Sequence, residues 1–516
     1  MEISQMNHTT RAASGLAVLY IAYQAIASIT LWAKRRALKR EKGVMQAPWY
    51  PQWDKITGFN LFRRNMQALK EHRMLEVGHQ RFAETNSNTY QLVLLGQHMH
   101  ITTEPENLKV IQAKEHTKWS LGRRRKYGFR QLLGDGIFTT DGSAWQHSRD
   151  MLRPNFVRTQ VADVDTLEKH VSQLISVIPR NQTVDLSELF FRLTIDSATE
   201  FLFGESTSSL TSSTTDGFAD AFTHAQDFIA NLGRWGSLAK LFPANKRFEK
   251  DTKFVHNFVD YYVQKGLARR DQILAGKTTS DKNRRYVFID ELVKQTTDPI
   301  RIRSEALNIL LAGRDTTASL LTNVWHTLSN RPDIWEKLQA EVRQLGGARP
   351  SFEQLKDLKY LKALLNESLR LYPVVPLNSR EATEDTTLPV GGGPDGRAPI
   401  FIKKDSIMAW SVWAMHRRKD FYGEDAEDFK PERWLDDPVT GKKGLRPGWE
   451  YLPFNGGARI CLGQQFALTE ASYCTVRLCQ AFSGIASRDP NPWTEFLTLT
   501  CVNLHGAKVA LTPREM

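Results

Sequence analysis

Ala12 to Trp32 is a run of 21 residues broken only by small polar groups and Gln24. As a helix it is long enough to cross a hydrocarbon core of about 30 Å. The flanks decide between an anchor and a cleaved leader. Lys34, Arg35, Arg36, Lys39, Arg40 and Lys42 follow the run, and Arg11 alone among basic residues precedes it. A secretory signal carries its basic flank first. The reversed order predicts an uncleaved single-pass anchor, and the positive-inside bias puts its C-terminal side in the cytosol and the short tail in a lumen. Asn7-His8-Thr9 is a glycosylation sequon on that lumenal side, so close to the membrane that it is expected to stay unused. The chain divides into a tail and anchor over 1–46 and one large domain over 47–516. Pro48-Trp49-Tyr50-Pro51 is the stiff turn between them.

With 516 residues, 41% of them hydrophobic, the second part can bury a large core. Sixty-nine basic against 57 acidic residues leave a formal charge of +12, which suits nucleic acid, anionic lipid or an acidic protein. No nucleic-acid-binding signature occurs, so lipid and protein rank first. Thr89 to Thr102 alternates as a strand pair would. From about 105 to 380 the pattern is mainly helical, interrupted by a Ser/Thr-rich loop from Ser206 to Asp216. The turn cluster Gly391 to Gly396 lies between strand-like Thr386–Val390 and Ile400–Lys403, and Phe496–Val502 and Lys508–Leu511 are β-like. The expected class is mainly α with a minor β region.

The four cysteines, Cys461, Cys474, Cys479 and Cys501, all lie in the last eighth of the chain, and none forms a CxxC pair. They read as reduced cytosolic thiols rather than a disulfide frame. Cys461 stands apart, inside Phe454-Asn455-Gly456-Gly457-Ala458-Arg459-Ile460-Cys461-Leu462-Gly463. A thiolate is a nucleophile or a metal ligand. Thirteen histidines are present, but no protease signature surrounds Cys461. The glycines would let a planar macrocycle approach the sulfur, and their amides could donate to it. The helical pattern of Gln464 to Cys479 would put the sulfur near a helix N-terminus, where negative charge is favoured.

Four other stretches carry polar groups in unusual settings. Leu310-Leu311-Ala312-Gly313-Arg314-Asp315-Thr316-Thr317-Ala318 is an apolar helix interrupted by a glycine, an acid and two hydroxyls, where a widening at Gly313 could admit water or dioxygen. Glu367 and Arg370 share one helix face, and Phe429-Lys430-Pro431-Glu432-Arg433-Trp434 supplies a further arginine. Trp145 and Arg149 are spaced one helical turn apart.

FNGGARICLG matches Phe-x-x-Gly-x-Arg-x-Cys-x-Gly, the haem-binding signature of the cytochrome P-450 family, at every fixed position. The resemblance runs from about Thr89 to Leu511. It is nearest to the fungal membrane-bound alkane and fatty-acid hydroxylases, through Leu133–Phe138, Phe190–Phe201, Gly391–Gly396 and Cys461–Glu470. It implies the large helix-rich cytochrome P-450 fold behind the transmembrane helix. It also implies haem b with the Cys461 thiolate on iron, and Trp145, Arg149, Arg380, Phe454 and Arg459 around the macrocycle, three guanidiniums meeting its propionates. Thr316 would hold the proton donor for oxygen activation and Asp315 would support proton delivery. Glu367, Arg370 and Arg433 would form a structural network bracing the cysteine loop. Ala312, Val375 and Leu497 would line the substrate site. Two departures, Ser379 for a bulkier apolar residue and Ala458 for a frequent proline, leave room for a different or larger substrate.

The implied activity is insertion of one oxygen atom from dioxygen into a C–H bond of an alkyl or fatty-acid-like molecule. Electrons would come from NADPH through a reductase at the endoplasmic reticulum membrane. Arg123-Arg124-Arg125-Lys126 is either a docking site for that acidic partner or a solvated face. A tailoring oxidation of a polyketide, peptide or lipid skeleton is the second reading. A non-catalytic haem sensor or electron carrier is the third, and Asp315-Thr316 argues against it.

Overall fold

Helix α1 (Glu2–Glu41) contains the whole apolar run. The computed structural model describes residues 2–157, 163–212, 217–241, 245–277 and 286–515, so the last four residues of the Ser/Thr-rich loop, 213–216, lie outside it. From Ala12 to Glu41 the helix is long and apolar enough to cross a membrane, and its most apolar stretch packs against no protein. Its basic end is docked on the main body. Arg35 forms a two-pronged ion pair with Asp385, Nε–Oδ2 2.7 Å and Nη2–Oδ1 3.0 Å, and Lys39 lies over the Phe401 ring at 4.6 Å. The Pro48–Pro51 segment then pairs with a sheet edge, the Tyr50 amide donating to the Gln91 carbonyl at 2.9 Å.

That sheet has five strands: β1 (Thr89–Leu94), β2 (Gln97–Thr102), β3 (Trp119–Ser120), β4 (Leu377–Ala382) and β5 (Ile407–Ser411). Their order is β1-β2-β5-β4-β3, with β2 and β5 parallel and the other pairs antiparallel. The expected strand pair over 89–102 is the β1–β2 hairpin. The glycine cluster joins Thr386–Gly392 to Ala398–Ile402. Phe496–Val502 divides into Glu495–Leu497 and Cys501–Asn503, paired across a tight turn. Lys508–Pro513 lies between Thr183–Asp185 and Phe482–Ser487.

The helices that position the site are α2 (Arg123–Leu133), α3 (Gly142–Leu152), α4 (Leu186–Phe203), α5 (Gly217–Arg234), α6 (Pro299–Asn330), α7 (Lys359–Leu371) and α8 (Gln464–Ala481). Helix α6 starts where Asp298 accepts from the amides of Ile300 and Arg301 and Pro299 fills the first helical position. Its N-terminal half, with Ile302, Ala306, Leu307 and Leu310, belongs to one apolar core. Its C-terminal half, with Ala318, Leu321, Val324 and Leu328, belongs to another. The polar residues from Gly313 to Thr317 fall where the two cores part. The helix is regular through Gly313 rather than widened. The local perturbation is Thr316, whose hydroxyl donates back to the Ala312 carbonyl at 2.7 Å.

A buried polar cluster ties α7 to the segment entering the cysteine loop. Glu367 and Arg370 are wholly inaccessible and meet through two bonds, Nε–Oε2 2.9 Å and Nη2–Oε1 2.7 Å. Glu367 also accepts from the Lys430 amide and the Trp434 indole, both at 2.9 Å, with Arg433 Nε at 3.4 Å. Arg370 donates to the carbonyls of His416, Ala426 and Asp428, and Arg433 to that of Tyr422 and to Asp425. With every polar atom so engaged, the cost of burying the charges is offset, and removal of one partner would leave the others stranded at about 3–5 kcal/mol.

His416 extends this cluster. Its Nδ1 is 3.1 Å from the Arg370 carbonyl and its Nε2 accepts from the Leu452 amide at 2.9 Å, which fixes the neutral Nδ1–H tautomer. Burial takes the imidazole from the ordinary 6.5 down to about 3. Between those values the unfolded chain binds a proton that the folded chain refuses, so stability falls as pH drops from about 6.5 towards 3. In pH-dependent unfolding, His416→Gln should lower stability at neutral pH and make the acid limb shallower by about one proton; an unchanged slope would show that another group sets that limb.

Candidate active site

The loop before α8 turns sharply, with Asn455 and Gly457 both left-handed at φ 58° and 61°. A single turn, Gly457–Arg459, follows, and the Cys461 amide closes the loop by donating to the Phe454 carbonyl at 2.9 Å. The Cys461 sulfur is accessible, but the space it meets is internal: a cavity of about 450 Å³ between this loop and α6. Burial pushes the thiol up, while the Gly463 amide, which donates to it, and the nearby Arg149 pull the other way.

The loop glycines do not all make room for a ligand. A Cβ on Gly457 would meet the Gln112 carbonyl oxygen at 2.0 Å, and one on Gly456 would meet the Trp449 ring at 2.8 Å. Both therefore serve packing of protein on protein. Gln112, in a π-helical turn at Val110–Lys114, also accepts from the Gly456 amide at 2.9 Å. Only Gly463 is open, with Phe156 at 3.7 Å as its nearest neighbour.

Across the cavity, α6 contributes Ala312, Gly313, Asp315 and Thr316. Asp315 is buried; its Oδ2 accepts from Gln226 of α5, and its Oδ1 has Arg314 Nη1 at 3.4 Å, an ion pair without hydrogen-bond geometry. Four guanidiniums, of Arg125, Arg149, Arg380 and Arg459, line the same cavity beside Trp145 and Phe454. Helix α3 carries Trp145 and Arg149, and the cations of Arg149 and Arg459 lie over the Trp145 ring at 5.8 and 4.3 Å. Arg459 also donates to Asp141 at 2.6 Å. Arg380, on β4, donates to the Ser379 carbonyl at 2.7 Å. Burial and the repulsion of Arg125 and Arg459 push Arg380 down to about 9, and burial takes Arg459 to about 10. Asp141 eases the positive charge of Arg125, Arg380 and Arg459.

The family model for cytochrome P450 matches residues 58–505. The chain belongs to the cytochrome P-450 family. It is 45% identical over 472 residues to the cytochrome P-450 monooxygenase himC of Aspergillus japonicus, covering 90% of this chain and 82% of that protein. It is 46% identical over 457 residues to cytochrome P-450 52A12 of Debaryomyces hansenii, covering 84% and 86%. It is 42% identical over 509 residues to the monooxygenase fsdH of Fusarium heterosporum, covering 96% and 88%. This cytochrome P-450 is thus a monooxygenase with the helix-rich fold of its family, for which a haem iron with a thiolate ligand is the expected cofactor.

The cavity of this cytochrome P-450 fits haem on its own terms. A single reachable sulfur, an apolar slot and crowded guanidiniums suit a flat apolar macrocycle bearing two carboxylates. Arg125 Nε is buried without a hydrogen-bond partner among the described residues.

The structure redistributes several sequence expectations. Arg123–Lys126 is not one surface: Arg123 alone is widely exposed, Arg124 donates to Gln97, Lys126 pairs with Asp141, and Arg125 faces the cavity. The spacing of Arg125 with buried Gly128 and Leu132 marks the inner face of α2, a signal hidden by the charge run. Ala312, Val375 and Ser379 line the cavity. Leu497 does not. It borders a separate space of about 220 Å³ with Asp227, Asn231 and Arg234, and Leu499 and Thr500 reach the large cavity instead. The reason is the turn at 498–500, which carries the chain from one side of the hairpin to the other. Gln112, His416 and Gln226 have no local sequence signal. Trp434 completes the quoted Pro-Glu-Arg-Trp stretch.

Gly457→Ala, with both a left-handed φ and a blocked Cβ, should destabilise on the order of 3 kcal/mol, whereas Gly463→Ala should stay within about 1 kcal/mol of wild type. Chemical denaturation of both variants checks the assignment, and equal losses would refute it.

Proposed function

We propose a membrane-anchored haem-thiolate monooxygenase that hydroxylates an alkyl or fatty-acid-like substrate. In this reading the Cys461 thiolate would hold the haem iron, with Phe454 beside it. Trp145, Arg149, Arg380 and Arg459, joined by Arg125, would receive the propionates. Haem, when bound, supplies the reduction of dioxygen and the oxidation of the C–H bond. NADPH supplies the electrons through a reductase at the endoplasmic reticulum membrane. The carrying observation is that the Cys461 sulfur and the Asp315–Thr316 pair open onto one largely apolar cavity from opposite sides.

The chain's own contribution is holding, excluding and proton handling. The Glu367–Arg370–Arg433 cluster and His416 fix the loop that carries the sulfur. Thr316 gives its hydroxyl proton to the Ala312 carbonyl, so its oxygen presents lone pairs to the cavity and accepts from a proton carrier there. Asp315, beside it, is the acid that refills that carrier. Phe129, Phe138, Ile309, Leu311 and Leu499 exclude water and suit an alkyl chain. The unburied helix from Ala12 to Glu41, with its one-sided basic flank, supports an anchor with its N-terminus in the lumen. Ser379 in the lining keeps a larger or more polar substrate, such as a biosynthetic skeleton, as the second reading.

The reduced, carbon-monoxide-bound protein should show the long-wavelength band of thiolate ligation, absent in Cys461→Ala; a histidine-type band in wild type would sink the ligand assignment. Thr316→Ala should consume NADPH at a near-normal rate with most of the product lost. Membranes given fatty acids of graded length should yield hydroxylated acids, and turnover only of a polycyclic or peptide skeleton would favour the biosynthetic reading.

A further inference from the structure

Helix α5 is joined to α6 by two polar contacts beside the cavity. Gln226 Nε2 donates to Asp315 Oδ2, and Arg314 Nη2 donates to Thr223 Oγ1 at 2.7 Å. Arg314 is held further by the rings of Phe191 and Phe222, 5.6 and 5.9 Å from its guanidinium carbon. Gln226 and Asp315 are both almost fully buried, so neither contact is a surface accident. Gln226 does not itself line the large cavity; Asp315 does.

Two buried atoms of this pair have no hydrogen-bond partner among the described residues: Asp315 Oδ1 and Gln226 Oε1. A buried acceptor without a hydrogen bond is costly; Asp315 Oδ1 has only the ion pair with Arg314 Nη1 at 3.4 Å, and Gln226 Oε1 lacks a hydrogen bond among the described residues. A primary amide is the side-chain group that donates from one end and accepts at the other. With its N–H toward Asp315 it supports the carboxylate. When Oδ1 carries the proton, Oδ2 is the carbonyl oxygen of the acid and still accepts from the same N–H. A lysine or arginine there would favour only the ionised form. A leucine would leave Oδ2 bare in both forms.

We propose that Gln226 is a positioning residue for proton delivery. It holds Asp315 Oδ2 in either protonation state, so that Oδ1 is left as the atom that exchanges the proton. One proton leaves Asp315 toward the carrier at Thr316 and one returns from solvent, with no net change at Gln226. Because Gln226 belongs to α5, the same contact makes the relay depend on how closely α5 lies on α6. The inference rests on the proton role given to Asp315 above.

The test compares Gln226→Leu, Gln226→Glu and Asp315→Asn in the full-length holoprotein with a reductase and NADPH, with and without dodecanoic acid. The readouts are peroxide released per NADPH, the solvent deuterium isotope effect on NADPH oxidation, and the thermal unfolding midpoint. Gln226→Leu should raise peroxide per NADPH by about threefold to tenfold and change the isotope effect. Gln226→Glu, which keeps a hydrogen-bonding partner by sharing a proton with Asp315, should recover most of the coupling. Wild-type peroxide yield and isotope effect in Gln226→Leu, with Asp315→Asn uncoupled, would overturn the role of Gln226 alone. Normal coupling in Asp315→Asn would overturn the relay itself. A lowered unfolding midpoint in Gln226→Leu with unchanged peroxide and isotope effect would reduce the contact to a structural one.

Discussion

The buried contact between Glu367 and Arg370 is the interaction on which the site depends. Two charges with no access to water persist only because each polar atom has a partner, and those partners are backbone groups of the segment from His416 to Lys430 together with Trp434 and Arg433. The pair therefore does more than stabilise α7. It prescribes the path of an irregular stretch that little regular secondary structure would otherwise fix, and His416 passes that constraint to Leu452, two residues before Phe454. The Cys461 sulfur inherits its position from a charge pair that lies outside the lining of the cavity.

The cavity imposes the opposite condition. Arg125, Arg149, Arg380 and Arg459 are gathered from α2, α3, β4 and the cysteine loop. Burial, with their mutual repulsion, pushes Arg380 and Arg459 below the usual arginine range. A region that gathers four guanidiniums, relieved in part by Asp141, is more favourable with a dianionic guest than alone. Helix α6 completes the arrangement because its polar interruption coincides with the seam between two apolar cores. Polar groups there meet a cavity instead of close-packed side chains.

Some of this was legible along the chain. The spacing of Phe454, Gly457, Arg459, Cys461 and Gly463, the acid and hydroxyls at 315–317, and the hairpin at 89–102 are local patterns. Other features were misread for definite reasons. Gly456 and Gly457 looked like room for a macrocycle, because sequence shows that a Cβ is missing but not what occupies its place; Trp449 and Gln112 do. Arg125 looked like one charge in a run, since its burial depends on what α2 packs against. Leu497 was placed one turn of chain away from the cavity that Leu499 reaches.

By itself the sequence determined the chemistry available: one thiol in a constrained loop, an acid beside two hydroxyls, an apolar run with a one-sided basic flank. These are encoded by neighbours within a few residues, where chain geometry admits few alternatives. The tertiary structure alone decided which arginines share a cavity, which carbonyls receive Arg370, and that Gln226 meets Asp315 from a helix 89 residues earlier. Those contacts join residues far apart in sequence, so their existence depends on how helices pack rather than on any local propensity.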